Sequence, residues 1–233
     1  MNGARIVVIG GTHGIGLAVA RRAAEEGAEV IVGSSRQASV DKALAELPKS
    51  STGHTMDVRD EADVRRVFER IGPFDHLVYT AGESLLLASL AELDLDAARK
   101  FFEVRYWGAI HVIRASKPRR SIVLSSGLAG TRPAPGLAAI ASVCGAMEAL
   151  TRALAVELAP LRVNIVIPGF VDTPLWSNFE EAARQAMFRD AAAKLPVGRI
   201  GTPDDIAEHY LAFMRGGYTT GQSIIVDGGA ALA

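Results

Sequence analysis

Gly10-Gly11-Thr12-His13-Gly14-Ile15-Gly16 follows the β-branched run Arg5–Ile9 and opens a helical pattern, Ile15 to Glu26, that Gly27 closes. Glycine lets a backbone turn with positive φ and approach a pyrophosphate closely. The helix behind it aims free N–H groups and the positive end of its dipole at the phosphates. A glycine-rich turn alone is equally a tight connection between a strand and a helix. The strand before it and the helix after it supply the context that points to a dinucleotide.

The same alternation continues outward. Strands are predicted at Glu29–Val32, Thr52–Met56, His76–Tyr79, Ser121–Leu124, Val163–Val166 and Ser223–Val226. Helices are predicted at Val40–Leu47, Ala97–Ala115, Ala141–Leu158 and Pro203–Met214. Short strands separated by helices call for an α/β fold with right-handed crossovers, a Rossmann-type doubly wound parallel sheet covered on both faces. No repeat or linker divides the chain, so residues 1–233 are read as one three-layer αβα domain. One stretch departs from the alternation. Trp176, Phe179, Met187 and Phe188 lie on a helical excursion flanked by Pro174 and Pro196. After a strand's carboxyl end this is where a substrate lid sits, here at about 174–196, although a surface helix packed on the body has the same pattern.

Composition excludes several classes. A net charge of −1 with scattered basic residues offers nothing to a polyanion, and Arg119-Arg120 reads as a solvated turn rather than a nucleic-acid patch. The lone Cys144 has no disulfide partner, which fits a reducing compartment. The first residues run directly into the glycine loop without a leader, and no stretch is expected to span a bilayer, so a soluble cytoplasmic protein is expected. His, Cys and acidic residues show no metal-ligand spacing, and no metal is expected.

Further landmarks carry a family resemblance. The spacing Gly10-x-x-x-Gly14-x-Gly16 resembles the short-chain dehydrogenase/reductase form of the dinucleotide loop. In chain order, Asp57-Val58 resembles the pair that holds the adenine. Thr80-Ala81-Gly82 resembles the end of the family's Asn-Asn-Ala-Gly turn. Ser125-Ser126 is similar to its serine motif. Pro168-Gly169, with Val171 and Thr173, resembles the segment closing over the nicotinamide. Gly198-Arg199, Pro203 to Ala207, Thr220-Gly221-Gln222 and Val226 to Gly229 complete the C-terminal signature. The resemblance spans nearly the whole chain. It implies a nicotinamide cofactor, a small-molecule substrate and a homodimer or homotetramer formed through the helices at 97–115 and 141–158.

Charge selects the cofactor. An NAD site needs a carboxylate for the ribose 2′-hydroxyl at the end of the second strand, where this chain has Gly33-Ser34-Ser35-Arg36. Hydroxyls and a guanidinium suit a 2′-phosphate, and His13 occupies a loop position that is basic in relatives using NADP. NADP(H) is expected ahead of NAD(H).

The resemblance also exposes a departure. The family's catalytic tyrosine and lysine correspond to Ile140 and Cys144, and its supporting asparagine to Arg105. The serine is retained as Ser126, in a loop one residue longer than usual. Arg105 falls in an apolar stripe with Phe101, Ala109 and Val112. It is read either as the cation for a substrate oxyanion or carboxylate, or as half of a salt bridge with Glu83 or Glu103. Tyr79, Tyr106 and Glu83 flank the site and are read first as packing or loop residues. His111 is read as a half-exposed helix histidine, and Cys144 as a small hydrophobe. Two functions follow: an atypical NADP(H)-dependent oxidoreductase acting on an activated carbonyl or its alcohol, with Ser126 and Arg105 at its centre, or an NADP(H)-binding pseudoenzyme that senses or scaffolds. A route without hydride transfer ranks third.

Overall fold

The computed structural model describes residues 1–233. Seven strands form one parallel sheet: β1 (Arg5–Ile9), β2 (Glu29–Ser34), β3 (Thr52–Thr55), β4 (Phe74–Tyr79), β5 (Pro118–Ser125), β6 (Arg162–Pro168) and β7 (Ser223–Val226). Their order is β3-β2-β1-β4-β5-β6-β7, so the winding reverses between β1 and β4. In an open α/β sheet that reversal leaves a crevice at the carboxyl ends of the strands, where ligands bind. The Rossmann-type doubly wound sheet expected from the sequence is present.

The eight α-helices are α1 (Gly14–Glu25), α2 (Gln37–Glu46), α3 (Glu61–Ile71), α4 (Leu95–Phe102), α5 (Gly108–Ala115), α6 (Ala138–Glu157), α7 (Glu181–Lys194) and α8 (Pro203–Arg215). Side chains on a strand alternate between faces, and both faces here are apolar. Ile6, Val8, Val30, Val32, Val78, Val123 and Val166 pack with Ala18, Val19 and Ala23 of α1 and with Ile206, Tyr210 and Met214 of α8. Val7, Ile9, Ile31, Leu77, Ile122, Leu124 and Ile165 face α3, α5 and Met147 of α6. Each such side chain, fully buried, contributes about 1.5–3 kcal/mol against its exposed state. Helix ends carry their own stop and start signals: the Asp60 carboxylate accepts from the N–H groups of Ala62 and Asp63, and Thr202 with Asp205 closes a reciprocal capping box on α8.

Three expectations need correction. The helix predicted over Ala97–Ala115 is not continuous, because Glu103–Trp107 forms one π-helical turn between α4 and α5. Arg119 and Arg120 lie in β5 as exposed residues rather than in a turn. By length and composition α6 is apolar enough to cross a membrane, against the expectation that no stretch is. One face of it packs on the body, where Ala139, Ile140, Val143, Cys144, Met147 and Thr151 are buried.

At the amino end of the sheet, His76 is 1% exposed and shares a 2.8 Å hydrogen bond with Ser121 through Nδ1, while Nε2 has no partner. Burial, with Arg120 adding to it, depresses its pKa to about 4 from 6.5. The unfolded histidine therefore takes a proton below pH 6.5 that the folded one refuses until about pH 4. Stability is intact above pH 6.5 and should fall by about 3 kcal/mol on the way to pH 4. Urea midpoints taken across this range check it, with His76→Asn expected to flatten the slope.

Candidate active site

The glycine loop holds together by contacts that leave no room for side chains. Gly10 has φ of 83°, and a Cβ there would lie 2.5 Å from the Ala81 nitrogen. A Cβ on Gly16 would sit well inside contact distance of the Gly10 carbonyl and 2.5 Å from Thr80 Oγ1. Thr80 is fixed in turn, its N–H donating to the Ile9 carbonyl at 2.8 Å and its hydroxyl to the same oxygen at 3.1 Å. The segments Gly10–Gly16 and Thr80–Gly82 thus form one surface at the carboxyl ends of β1 and β4. Gly14 faces Thr173, whose Cβ would be 3.4 Å from a Cβ at 14, so the Pro168–Thr173 segment closes the same crevice. Pro168 ends β6, Gly169 packs on Asp227, and Val171 bridges to Gly201.

His13 is the N-cap residue of α1 but makes no side-chain cap, and the first turn of that helix carries no acid. Its free N–H groups and dipole therefore face the loop unneutralised. The His13 ring shares a 3.0 Å hydrogen bond with Thr12 Oγ1. Burial, together with the nearby Arg36 guanidinium, lowers its pKa. Ser34 ends β2, Ser35 follows it, and Arg36 is the N-cap residue of α2, so two basic side chains and two hydroxyls flank this corner with no carboxylate among them. Asp57 and Val58 lie just beyond β3. Asp57 chelates the Arg59 side chain, which holds its carboxyl below the usual carboxylate range, while its N–H donates to the Asp63 carboxylate. Val58 is buried, and its carbonyl accepts a hydrogen bond from His111 Nδ1–H at 2.9 Å, which accounts for that histidine.

The second half of the crevice is organised by Arg105, carried on the π-helical turn. π-Turns widen a helix locally and often mark functional positions. The Arg105 guanidinium donates to the Glu83 carbonyl at 2.6 Å, stacks over the Phe101 ring at 4.6 Å, and leaves Nε without a partner. It lies so close to Gly82 that a Cβ there would be 2.6 Å from its Cζ. Burial lowers its pKa. Neither Glu83 nor Glu103 gives it a carboxylate: the salt bridge weighed from sequence is absent, because Glu83 presents its backbone oxygen instead. A half-buried guanidinium without a counter-ion is costly to hold.

Facing it, Ile140, Val143 and Cys144 pack with Phe101 as a small apolar cluster, and burial pushes the Cys144 thiol up. Between them lies a cavity of about 20 Å³ lined by Tyr79, Ala81, Arg105, Ser125, Ser126, Val143, Cys144 and Met147. Tyr79 is fully occupied as structure, its hydroxyl donating to the Val104 carbonyl, and burial raises its pKa far beyond neutrality. Tyr106 packs edge-on against Trp107. Ser126 donates to Glu148 Oε1 at 3.1 Å and approaches the Cys144 carbonyl at 3.3 Å. Glu148 was missed from sequence; the signal available was its place one turn after Cys144 on the same helix face. The structure therefore brings Ser126 and Arg105 to one cavity, which Ala81 also lines, while the glycine loop packs on Thr80 and Ala81 and, at Gly14, on Thr173. Asp57 and Val58 stand further out, at the β3 end.

The excursion predicted as a lid resolves into a short 3₁₀ turn, Pro174–Trp176, and α7. Trp176 stacks on Phe170 with centroids 5.6 Å apart and meets Phe179 and Phe188, its indole N–H donating to the Val171 carbonyl.

Residues 10–231 match a family model described as enoyl-(acyl carrier protein) reductase. The chain is 37% identical to the short-chain dehydrogenase/reductase ATR9 of Stachybotrys chlorohalonatus, covering 100% of this chain and 98% of that one. The chain belongs to the short-chain dehydrogenase/reductase family. Among solved structures, a small-chain dehydrogenase in complex with NADPH is 34% identical with a TM-score of 0.89, covering all of both chains. The MalC reductase/Diels-Alderase of Malbranchea aurantiaca is 28% identical with a TM-score of 0.92, covering 100% of this chain and 98% of that one. Family membership accounts for the order of landmarks along the chain, and the sheet topology follows from it.

Proposed function

We propose that this member of the short-chain dehydrogenase/reductase family is an atypical NADP(H)-dependent oxidoreductase, moving hydride to or from a small, activated carbonyl or its alcohol. The observation that carries the reading is the corner formed by uncapped α1, His13, Ser34, Ser35 and Arg36, an anion cradle with no acid in it. It suits a 2′-phosphate and would repel none of the cofactor's charges. The likeness to a dehydrogenase that binds NADPH supports the same choice. When bound, the nicotinamide supplies hydride chemistry. The chain's own part is to grip the phosphates through Gly10, Thr12, Gly14, Ile15 and Gly16. Asp57, Val58, Thr80, Ala81 and Gly82 line its adenine and ribose path, and Pro168, Gly169, Val171 and Thr173 close over it.

The reading is atypical because Ile140 and Cys144 take the places of the family's tyrosine and lysine. Isoleucine has no proton to give, and positioned acid–base catalysis is typically worth ~10²–10⁴ in rate. A carbonyl that is already electrophilic tolerates that loss best. Arg105 supplies the missing positive charge from a different helix, and its unpartnered Nε and burial support a role in holding developing negative charge on substrate oxygen. A homodimer or homotetramer in the cytoplasm belongs to the same reading.

The competing reading is a cofactor-binding pseudoenzyme, favoured by the apolar packing of Ile140 and Cys144. Isotope transfer separates them. NADPH deuterated at the transferable C4 position, incubated with 2,3-butanedione, 1,4-naphthoquinone and aromatic aldehydes, is expected to yield deuterated alcohol or quinol, and more of it than labelled NADH does. Binding of NADPH with no label in any product would favour the pseudoenzyme. Enzyme-dependent conversion without label would favour chemistry free of hydride transfer, to which the likeness to a reductase/Diels-Alderase gives weight.

A further inference from the structure

Ser126 stands immediately after β5, and its hydroxyl faces two acceptors, Glu148 Oε1 at 3.1 Å and the Cys144 carbonyl at 3.3 Å. A hydroxyl has one proton to give, and a charged carboxylate at the shorter distance is the stronger acceptor. The Ser126 proton is therefore directed at Glu148, and its oxygen lone pairs remain available toward the cavity that Ser126 lines with Arg105. The carboxylate owes its place to Gly130. A Cβ at that position would be 2.8 Å from Glu148 Oε1 and 2.9 Å from Cys144 Cβ, so the turn Leu128–Gly130 lies flat on the face of α6 and leaves the carboxylate beneath it. Glu148 is partly exposed, which gives it exchange with water.

We propose that Glu148 is the proton reservoir of this site, acting through the Ser126 hydroxyl in place of a tyrosine. The proposal rests on the oxidoreductase reading above. In reduction, the carbonyl carbon takes hydride from the reduced nicotinamide as the C=O π pair moves to oxygen. That oxygen takes the Ser126 proton, Ser126 takes the proton of the Glu148 carboxylic acid, and water reprotonates Glu148. Oxidation of the alcohol runs the same path backwards and ends with a proton on the Glu148 carboxylate. Arg105 stabilises the oxygen while charge resides there, and Ser126 and Glu148 discharge it.

Few other groups compete for this proton. From α6 itself come Cys144 and, one turn beyond Glu148, Arg152. The Leu128–Gly130 turn brings none. The π-turn brings Glu103, Arg105 and Tyr106, of which Arg105 acts on Cys144. The α4 charges Asp96 and Arg99 pair with each other in solvent, and Lys100 lies on the same helix exposed. Arg119, Arg120 and Arg162 are at the opposite end of β5 and β6.

The test is a pair of pH profiles, for reduction of 2,3-butanedione by NADPH and for oxidation of acetoin by NADP⁺, with NADPH affinity measured by fluorescence beside them. Reduction needs protonated Glu148 and should fall as pH rises; oxidation needs the carboxylate and should rise through the same pH range. Glu148→Gln keeps an acceptor oxygen for Ser126 but takes no proton. It should lower turnover about 10²-fold and remove both slopes, while NADPH affinity stays unchanged. Glu148→Asp should restore a pH slope. A Glu148→Gln profile superimposable on the wild type, or a loss of rate matched by a loss of NADPH affinity, overturns the relay and leaves the oxidoreductase reading standing. Absence of turnover in the wild type with NADPH bound overturns both.

Discussion

Arg105→Met is expected to make the protein more stable and less active. The guanidinium is half-buried with its Nε enclosed and unpaired, makes one neutral hydrogen bond, to the Glu83 carbonyl, and stacks on the Phe101 ring. Taking a charge out of water costs several kcal/mol, and here no carboxylate offsets it. Methionine fills a similar volume against Phe101 without that cost and adapts to irregular space. The unfolding free energy should rise by about 1–4 kcal/mol, the gain seen when buried charges give way to well-packed apolar residues. Removing a preorganised donor from a water-poor site should at the same time cost about 10²–10³ in turnover. Denaturant midpoints and label transfer from deuterated NADPH check the two signs independently. A destabilised variant would mean that Arg105 serves the fold, and a stabilised but equally active one would remove it from the site. Proteins keep such unfavourable groups where function needs them.

Gly16→Ala is expected to remove dinucleotide binding. Its added Cβ meets the Gly10 carbonyl and Thr80 Oγ1, of which the first is backbone and cannot rotate aside. Relief requires the loop to move off β4, which takes the Thr80 bond to Ile9 with it. Overpacking of this kind costs about 1–3 kcal/mol of stability. The loss of binding should be larger, because displaced N–H groups of α1 no longer converge on the phosphates. Fluorescence titration should show NADPH affinity reduced by at least ~10²-fold, about 2.7 kcal/mol. A variant that binds NADPH normally would place the cofactor somewhere other than this loop.

Much of this architecture was legible because its signals are local. The glycine loop, the β-branched runs and their spacing survive in one dimension, and the strand at Arg5–Ile9 and that at Ser223–Val226 agree with the structure to the residue. The π-turn was not legible. One extra residue in a helical turn leaves the apolar stripe through Phe101, Ala109 and Val112 intact on either side, so the sequence reads as one helix. Arg105 was singled out by its charge within that stripe, but its partner was misjudged: sequence shows which acids are near, not whether a residue offers its side chain or its backbone oxygen. Glu148 was overlooked for a related reason. On α6 alone it is an ordinary polar position, and only the crossing of the Leu128–Gly130 turn gives it Ser126 as a partner.

The cavity between Arg105 and Cys144 also bears on how such a site changes over generations. With about 20 Å³ free and a guanidinium already present, a lysine at 144 would bring a second cation into the same enclosure, where two like charges repel with little water between them. A tyrosine at 140 would have to displace the Phe101 cluster that Arg105 rests upon. A cation at 105 and a cation at 144 therefore disfavour one another, and charge at one position sets a penalty on charge at the other.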